Sequence, residues 1–526
     1  MREKLTTDDL LFIRRRIFKP ICESQQIQAW VVGGAVRDHL YNRVYCTIIS
    51  DIYINDIDVV CSDKDEFVGV LSAYCRDGNV KYKITPMANG HATVFTIYSF
   101  KDFTGTSPYK DFSFDIEISQ LKDTLWNDAL SRDFTCNAWY LPIHNDDKIF
   151  SPLTKTTPVY PVIGKELIPC DSCKTFIDNP LRIFRAMDMI SRGYRPTTRL
   201  VMDIIQAAKQ IKASEELRKS MLGIVHKIFC GLIEKTRIID DVVYAFNWMA
   251  ELNLWPMVDG RIEGMVDCMH ENHYHHDSVW QHTMEVLTGV MMYHVVDEKF
   301  HKVQPDVTCL WAAFLHDIGK IETVTKDDRG MTHFYGHHDS SAIIAGEILK
   351  DAPVSKQMAK DIVALIQYHM ETKPFGDADI PKNQYKHIRR LMLKLGEEQF
   401  HRYLLLNHAD CAASDRIRNE NTNNICKAIC EMKRNNEPNW FEFRLPVDGN
   451  MIKESIPNIP AKGIGLCINQ LLKVTLAHPF DYETQEQCIH YLETLVKTGW
   501  VNDMINSGKT VDTPTLISVK SDIKKR

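Results

Sequence analysis

Residues 5–28 space Leu10, Ile13, Ile17 and Ile21 three or four apart, which predicts an opening helix with one apolar stripe. The texture changes at Ala29. From there to about residue 120 the chain runs through short β-rich segments, WVVGG, DIDVVC, ATVFTIYSF and FSFDIEIS, separated by polar turns, and these predict a mixed sheet with helices. From about residue 175 onward, Leu-, Ile- and Met-rich stretches recur at three- and four-residue spacing, and almost every segment reads as helix. The expected fold class is α+β, a mixed α/β head followed by an all-α body. Polar breaks near 258–263, 374–384 and 433–439 are the candidate boundaries. No internal repeat or low-complexity tract interrupts the pattern, and the closing KSDIKKR reads as a solvated, frayed tail.

Composition narrows the class. At 526 residues the chain is too long for one core, and roughly 150 residues per domain gives about three or four units. With 44% hydrophobic, 25% charged and 10% aromatic residues it has the make-up of globular protein. A net charge of −6 means that any nucleic-acid contact must come from a local basic face. The first residues carry Asp8 and Asp9 and no uninterrupted apolar run, unlike a signal or transit peptide. No stretch approaches the roughly 18 consecutive apolar residues of a membrane span, so a soluble, cytoplasmic protein without a membrane partner is expected. The 15 cysteines show no repeating framework and are read as thiols; the single CxxC of Cys170 and Cys173 lacks the second pair that a structural zinc site needs.

Two constellations carry chemistry. In the first, an apolar strand enters Gly33-Gly34-Ala35-Val36-Arg37-Asp38, where the glycines let backbone N–H groups approach a phosphate chain and Arg37 adds a charged fork. Asp56 and Asp58 then stand two apart on a strand, which aims both carboxylates at one spot. Such a pair suits two metal ions about 3.5–4 Å apart, one acidifying an attacking hydroxyl and one stabilising a leaving pyrophosphate. A third carboxylate is expected from Asp115 or Glu117 on a neighbouring strand, with Glu117 preferred. Downstream, Arg132, Asp133 and Asn137 are threaded through an otherwise buriable segment, which calls either for a ligand or for a structural polar network.

GGAVRD, DID, RDFTxNA and the run Asp178-Asn179-Pro180-Leu181-Arg182-Ile183-Phe184-Arg185 follow the order of the class II CCA-adding enzyme and bacterial poly(A) polymerase family, which this chain resembles over most of its length. The resemblance implies that Asp56 and Asp58 hold catalytic magnesium and that Gly33, Gly34 and Arg37 contact the triphosphate. Arg132 and Asp133 would check the ribose 2′-hydroxyl, and Asp178, Asn179 and Arg182 would read the incoming base. Asp38, Asn137 and Arg185 complete the expected nucleotide-binding set. Three departures stand out: Ser131 replaces the first arginine of the usual Arg-Arg-Asp, Asp178-Asn179 replaces Glu-Asp, and extra residues from Tyr41 to Ile54 separate GGAVRD from DID. An amide at Asn179 still accepts from an exocyclic amine, but more weakly than a carboxylate. The extra residues are read as a surface loop.

The second constellation lies between residues 269 and 410, where His270, His273, His275, His276, His282, His316, His333, His337, His338, His369, His401 and His408 concentrate. His316-Asp317 closes the apolar run WAAFLHDIGK, and Gly319 is expected to end or bend that helix. HTMEVL, FLHDIGK, HFYGHHDSSA, IQYHM and LNHADC resemble, in order, the HD phosphohydrolase domain. The matching ligand positions are His282, His316, Asp317, His337, His369 and Asp410. Imidazoles with carboxylates suit a divalent ion, Mg2+, Mn2+ or Ni2+, able to activate water against a phosphoester. LPVDG and GIG near the end resemble the tail of the same long-form enzymes, where the glycine turn either meets an RNA phosphate or caps a helix.

The resemblance divides the chain into an N-terminal helix (1–28), a nucleotidyltransferase head (29–165), a helical neck (166–262), an HD domain (263–432) and an RNA-contacting helical tail (433–526). The expected activity is CCA addition to the tRNA 3′ acceptor end from CTP and ATP by two-metal transfer, with added phosphohydrolase activity in the HD domain. Poly(A) polymerase is the close rival, an HD phosphohydrolase with a degenerate head the distant one, and a non-catalytic RNA-binding protein a third class. Monomer and homodimer are both left open.

Overall fold

The computed structural model describes residues 5–45, 54, 56–87, 92–98, 113–144, 148–154, 164–269, 277–293, 295, 301–372, 382–413, 420–457 and 459–508. They divide into two compact units, Met1–Met257 and Val258–Arg526. Of the extra segment after Tyr41, residues 46–53 lie outside the described residues.

In the first unit, α1 (Thr7–Ile13) passes through a π-helical stretch, Arg14–Phe18, into α2 (Lys19–Gln25). Leu10, Ile13, Ile17 and Ile21 are all buried in the main core. The strands β1 (Ala29–Val32), β2 (Asp56–Cys61), β3 (Tyr82–Pro86), β4 (Ala92–Ile97), β5 (Phe114–Gln120) and β6 (Tyr140–Pro142) form one sheet in the order β3-β4-β5-β2-β1-β6. β2 pairs parallel with β5, and the other neighbours pair antiparallel. Helices α3 (Gly33–Tyr45), α4 (Lys64–Asp77) and α5 (Leu125–Leu130) connect them.

Alternation sorts the two faces of this sheet. Val31, Ile57, Val59, Phe95, Ile116 and Ile118 join Leu10, Ile17 and Phe67 in one core. Val32, Val60 and Tyr140 belong to a smaller cluster on the opposite face. β3 was not among the expected strands: it is an outermost strand exposed along most of its length, so no buried alternation marks it, and only its register with β4 defines it. β6 is three residues long and escaped notice for the same want of pattern.

The rest of the unit is helical apart from a short parallel pair, β7 (Glu166–Leu167) with β8 (Arg195–Pro196). Its helices are α6 (Lys174–Asp178), α7 (Leu181–Ile190), α8 (Thr198–Ala208), α9 (Glu215–Ile233) and α10 (Ile239–Glu251), with α7 packed on α9 and α10. Asp188 on α7 is buried against Arg237, with Lys227 at 3.4 Å and Arg192 at 3.5 Å, and Arg237 Nε donates to Ser191 Oγ at 2.9 Å. Burial alone would raise the Asp188 carboxyl, but these cations hold it well below the ordinary carboxylate range.

The second unit contains α11 (Gly260–Asp267), α12 (Val279–Met292), α13 (Val307–Leu315), α14 (Lys320–Thr323), the hairpin β9 (Val324–Lys326) and β10 (Thr332–Phe334), then α15 (His337–Ile348) and α16 (Lys356–Tyr368). After these come α17 (Lys382–Ala412), broken at Gly396 with φ +69°, and α18 (Glu420–Arg434), α19 (Gly449–Ser455), α20 (Ala461–Ala477), α21 (Gln485–Lys497) and α22 (Trp500–Ser507). The polar break at 258–263 is a helix start, with Asp259 accepting from the Arg261 N–H. Near the end, Asp448 caps α19 by accepting from Asn450 and Met451, while Gly463 lies inside α20 where a side chain would meet Val501. Among the described residues no helix is long and apolar enough to cross a membrane.

The Asp188 network gives a stability test. Removing the buried anion strands several cations, so Asp188→Asn is expected to lower the unfolding free energy of the first unit by about 3–5 kcal/mol, read from urea unfolding of the full chain. Because the folded carboxyl is depressed, its stabilisation is present above the unfolded value of about 4 and is lost as pH falls through the folded value. The difference between wild type and variant is therefore expected to shrink below about pH 4.

Candidate functional site

The parallel register of β2 and β5 sets Asp56 across from Asp115 and Asp58 across from Glu117. The four carboxylates thereby share the sheet face opposite the main core, with Asp56 exposed and Asp58 and Glu117 half-buried. Burial, then Asp56, then Glu117 push Asp58 up to about 7, and burial followed by Asp56 raises Glu117. Arg132 and Arg185 oppose both shifts. Anionic charge thus exceeds what the chain neutralises here, and a divalent cation is the chemical complement of such a face. Gly33, with φ +71°, forms the floor: a Cβ there would collide with Asp58 Oδ2. The glycine is therefore needed for its missing side chain as well as for its turn.

The other expected nucleotide-binding residues form two networks. Arg37 is buried, donating from Nε to Asp38 Oδ1 at 2.7 Å and from Nη1 to Asn137 Oδ1 at 2.7 Å. Its fork is thus directed at protein oxygens, whereas the sequence suggested an open phosphate contact. Asn137 in turn donates to Asp133 Oδ1 at 3.0 Å, and Arg185 Nε meets Asp133 Oδ2 at 2.9 Å. Although burial would raise it, Asp133 is held low by Arg185 and by the Asn137 and Phe134 donors. In the second network Arg132 donates to Asp128 Oδ2 through Nε at 3.1 Å, with Nη2 at 3.0 Å, and Tyr140 OH donates to the same oxygen at 2.6 Å. Asp128 and Tyr140 were not among the expected site residues. Their signal was a buriable acid four positions before an arginine, with a tyrosine eight positions beyond it.

Asp178 closes α6 and Asn179 caps it, and both are exposed. Arg182, in the first turn of α7, donates to the backbone carbonyls of Ser131 and Thr175. The structure therefore gathers Asp178 and Asn179 at one helix junction and turns Arg182 toward the backbone of Ser131. Cys170 is buried and its thiol is pushed up by that burial; among the described residues it joins no metal-binding group.

The second unit holds a more tightly drawn cluster. α12, the turn after α13, α15, the turn after α16, and α17 supply His282, His316 with Asp317, His337, His369 and Asp410. His282 Nε2 lies 3.0 Å from Asp410 Oδ1 and 3.5 Å from Asp317 Oδ2, and His316 Nε2 is 3.2 Å from Asp317 Oδ2 and 3.8 Å from Asp410 Oδ1. On the other side, His337 Nε2 and His369 Nε2 stand 3.4 and 3.7 Å from Asp317 Oδ1. Two groups result, His282–His316–Asp317 and Asp317–His337–His369, each with its ligand atoms within 4.8 Å of one another. Among the described residues these are the groups that meet that spacing, so the head carboxylates are set more widely.

Backbone acceptors fix the histidine tautomers. The Nδ1–H of His316, His337 and His369 donates to the carbonyls of Ala313, Phe334 and Ile366 at 2.9, 2.8 and 2.6 Å. Their Nε2 atoms, with Asp317 Oδ1, are left buried without a hydrogen-bond partner. Burial and neighbouring His316 push His369 down to about 3, so that ring stays neutral. Bare imidazole nitrogens converging on a carboxylate fit a divalent metal. Lys320, which the sequence reading passed over although it lies in the same FLHDIGK run, places Nζ 2.5 Å from Asp317 Oδ2.

Gly319 differs from expectation. Its φ of −72° is right-handed, and it is glycine because a side chain would strike the backbone of His337 and Ser341. The remaining histidines of the dense region do not converge: His333 meets Asp327, His338 meets Asp339, and His401 and His408 pack on Phe441 and Tyr293. His270, His273, His275 and His276 lie outside the described residues.

Comparison with known proteins matches both halves. Residues 29–153 match the poly A polymerase head domain and residues 279–415 the HD domain. An A-adding tRNA nucleotidyltransferase of Deinococcus radiodurans is 30% identical over 121 residues, 23% of this chain and 26% of that protein. A CCA-adding enzyme of Staphylococcus saprophyticus is 32% identical over 135 residues, 24% of this chain and 29% of that protein. The chain thus aligns with little more than a quarter of either relative. A multifunctional CCA protein of Actinobacillus pleuropneumoniae is 22% identical over 392 residues, covering 73% of this chain and 85% of that protein. Among solved structures, a CCA-adding enzyme in complex with CTP superimposes with a TM-score of 0.53 at 15% identity, covering 95% of this chain and 99% of the other. The Thermotoga maritima CCA-adding enzyme complexed with tRNA gives 0.51 at 16%, covering 94% and 100%. At such identities these likenesses speak for the fold. In chain order, then, a region similar to the poly A polymerase head domain is followed by one similar to the HD domain, and the fold is that of the CCA-adding enzymes of known structure.

Proposed function

We propose that the chain is a template-independent tRNA nucleotidyltransferase that adds CCA from CTP and ATP at the head. The observation that carries this is the β2–β5 register, which lines up Asp58 with Glu117 beside Asp56 on one sheet face, where burial first, then Asp56 and Glu117, lift the Asp58 carboxyl to about 7. Asp56, Asp58 and Glu117 would hold magnesium. When bound, a magnesium pair acidifies the attacking 3′-hydroxyl and neutralises charge on the departing pyrophosphate. The missing Gly33 side chain leaves room for the Asp58 carboxylate with Arg132 beside it, and the phosphate chain would lie along that turn. Exposed Asp178 and Asn179 would offer hydrogen-bond partners to the incoming base, while Arg37 and Asp133, already satisfied inside the protein, would brace the turn and the neck helix.

The HD unit supports a second activity on its own evidence. The orphaned Nε2 atoms of His316, His337 and His369 are suited to hold a divalent ion, Mg2+, Mn2+ or Ni2+, with Asp317 shared between the two groups and His282 and Asp410 completing the set. Such an ion activates water toward a phosphoester. The division into head, neck, HD domain and tail read from the sequence is kept as part of this proposal.

Three outcomes test it. Incubated with a tRNA lacking its terminal CCA, magnesium, CTP and ATP, the protein is expected to produce CCA ends on 3′-end sequencing; uniform runs of A would make it a poly(A) polymerase. Since one proton must leave Asp58 before a cation binds, the magnesium concentration for half-maximal addition is expected to rise about tenfold between pH 8 and pH 6. In the HD unit, His316→Ala is expected to abolish divalent-ion uptake by that unit in metal analysis and to leave nucleotide addition at the head within about twofold.

A further inference from the structure

Arg132 is held from one side only. Its Nε and Nη2 both engage Asp128 Oδ2, at 3.1 and 3.0 Å, and Nε also donates to Tyr140 OH at 3.3 Å. The guanidinium carbon lies 5.5 Å from the centre of the Tyr140 ring. Tyr140 OH donates to the same Asp128 oxygen at 2.6 Å, so a single carboxylate oxygen collects three donors. Tyr140 is fully buried and its ring lies against Phe150. Its hydroxyl is pushed up by burial, so it remains a proton donor at any physiological pH.

The anchor is tied to the phosphate floor by the sheet itself. Tyr140 is the register partner of Val32, the last residue before the Gly33 turn. Arg132 Nη1, the nitrogen that neither Asp128 nor Tyr140 holds, lies 3.7 Å from where a Gly33 Cβ would be, beside Asp58. The arginine is thus aimed at the space above Gly33 by two residues that do not themselves reach it.

We propose that Asp128 and Tyr140 are positioning residues for sugar selection, a two-point clamp that fixes Arg132 where the ribose of the incoming nucleotide lies. This rests on the nucleotidyltransferase reading of the head. With Ser131 in place of a second arginine, the corner depends on the aim of one guanidinium. Freed from either anchor, Arg132 keeps its charge but samples several rotamers, so the contact with the 2′-hydroxyl weakens while contacts with phosphate persist.

The test is single-nucleotide addition to a tRNA lacking its CCA, comparing CTP with 2′-deoxy-CTP for the full-length wild type, Arg132→Ala, Tyr140→Phe and Asp128→Asn. Tyr140→Phe is expected to lower kcat/KM for CTP about tenfold, the loss of one hydrogen bond to a charged group, with that for dCTP unchanged. Asp128→Asn should lower the CTP to dCTP ratio at least as far, and the double variant no further than the larger single effect. A merely structural role would depress both nucleotides alike. If Arg132→Ala collapses the ratio while Tyr140→Phe and Asp128→Asn leave it at wild type, the clamp is wrong and the reading of the head stands. If Arg132→Ala itself leaves the ratio unchanged while addition continues, the sugar-selecting role and the clamp fail together. If no protein adds a nucleotide, the reading of the head fails.

Discussion

The parallel pairing of β2 with β5 is the constraint on which the head depends. It forces Asp58 against Glu117 and Asp56 against Asp115, an arrangement that mutual repulsion opposes. The opposite face of the same strands holds it in place. Ile57, Val59, Ile116 and Ile118 are fully buried there, each contributing roughly 1.5–3 kcal/mol, against about 1 kcal/mol for a like-charge cross-strand pair in a solvated setting. The apolar face therefore outweighs the acidic one, and the Asp58 carboxyl is raised by its burial and then by the neighbouring Asp56 and Glu117. A fold that stores uncompensated negative charge beside a glycine floor is prepared for cations and for the phosphates they accompany.

On the proposed reading, the two units would bind a cation differently. In the HD unit the ligands are brought close before any ion arrives, with three rings locked by backbone carbonyls and Asp317 shared between two groups. Lys320 lies against the shared carboxylate and offsets its burial. In the head the carboxylates are wider and more exposed, and order is imposed on the surrounding arginines: Arg37 by Asp38 and Asn137, Arg132 by Asp128 and Tyr140, Arg185 by Asp133. A rigid cage suits a resident ion. A wider set of acids ringed by fixed cations suits ions that come and go with nucleotide.

Much of this was legible in the chain because its signals are local. The DID spacing, the paired glycines and the HD dipeptide each encode geometry within a few residues, and the opening helix showed its stripe in Leu10, Ile13, Ile17 and Ile21. What escaped depends on tertiary neighbours. β3 carries no buried alternation because it is an edge strand. Gly319 looked like a helix terminator because the backbone it must admit, at His337 and Ser341, comes some twenty residues later. Counting histidines could not reveal that His333, His338, His401 and His408 turn to other partners. The Arg132 anchor was half visible, since Asp128 lies one helical turn before it, but Tyr140 reaches it only through the pairing of β6 with β1.

The central claim is that Asp56 and Asp58 make the head a metal-dependent polymerase. Single-turnover addition of one nucleotide by the Asp56→Asn, Asp58→Asn double variant tests it most directly, with thermal melting to show that the sheet survives. The account predicts a rate at least about a thousandfold below wild type in a protein that still folds. A folded variant that adds nucleotides within a few-fold of the wild-type rate would contradict it.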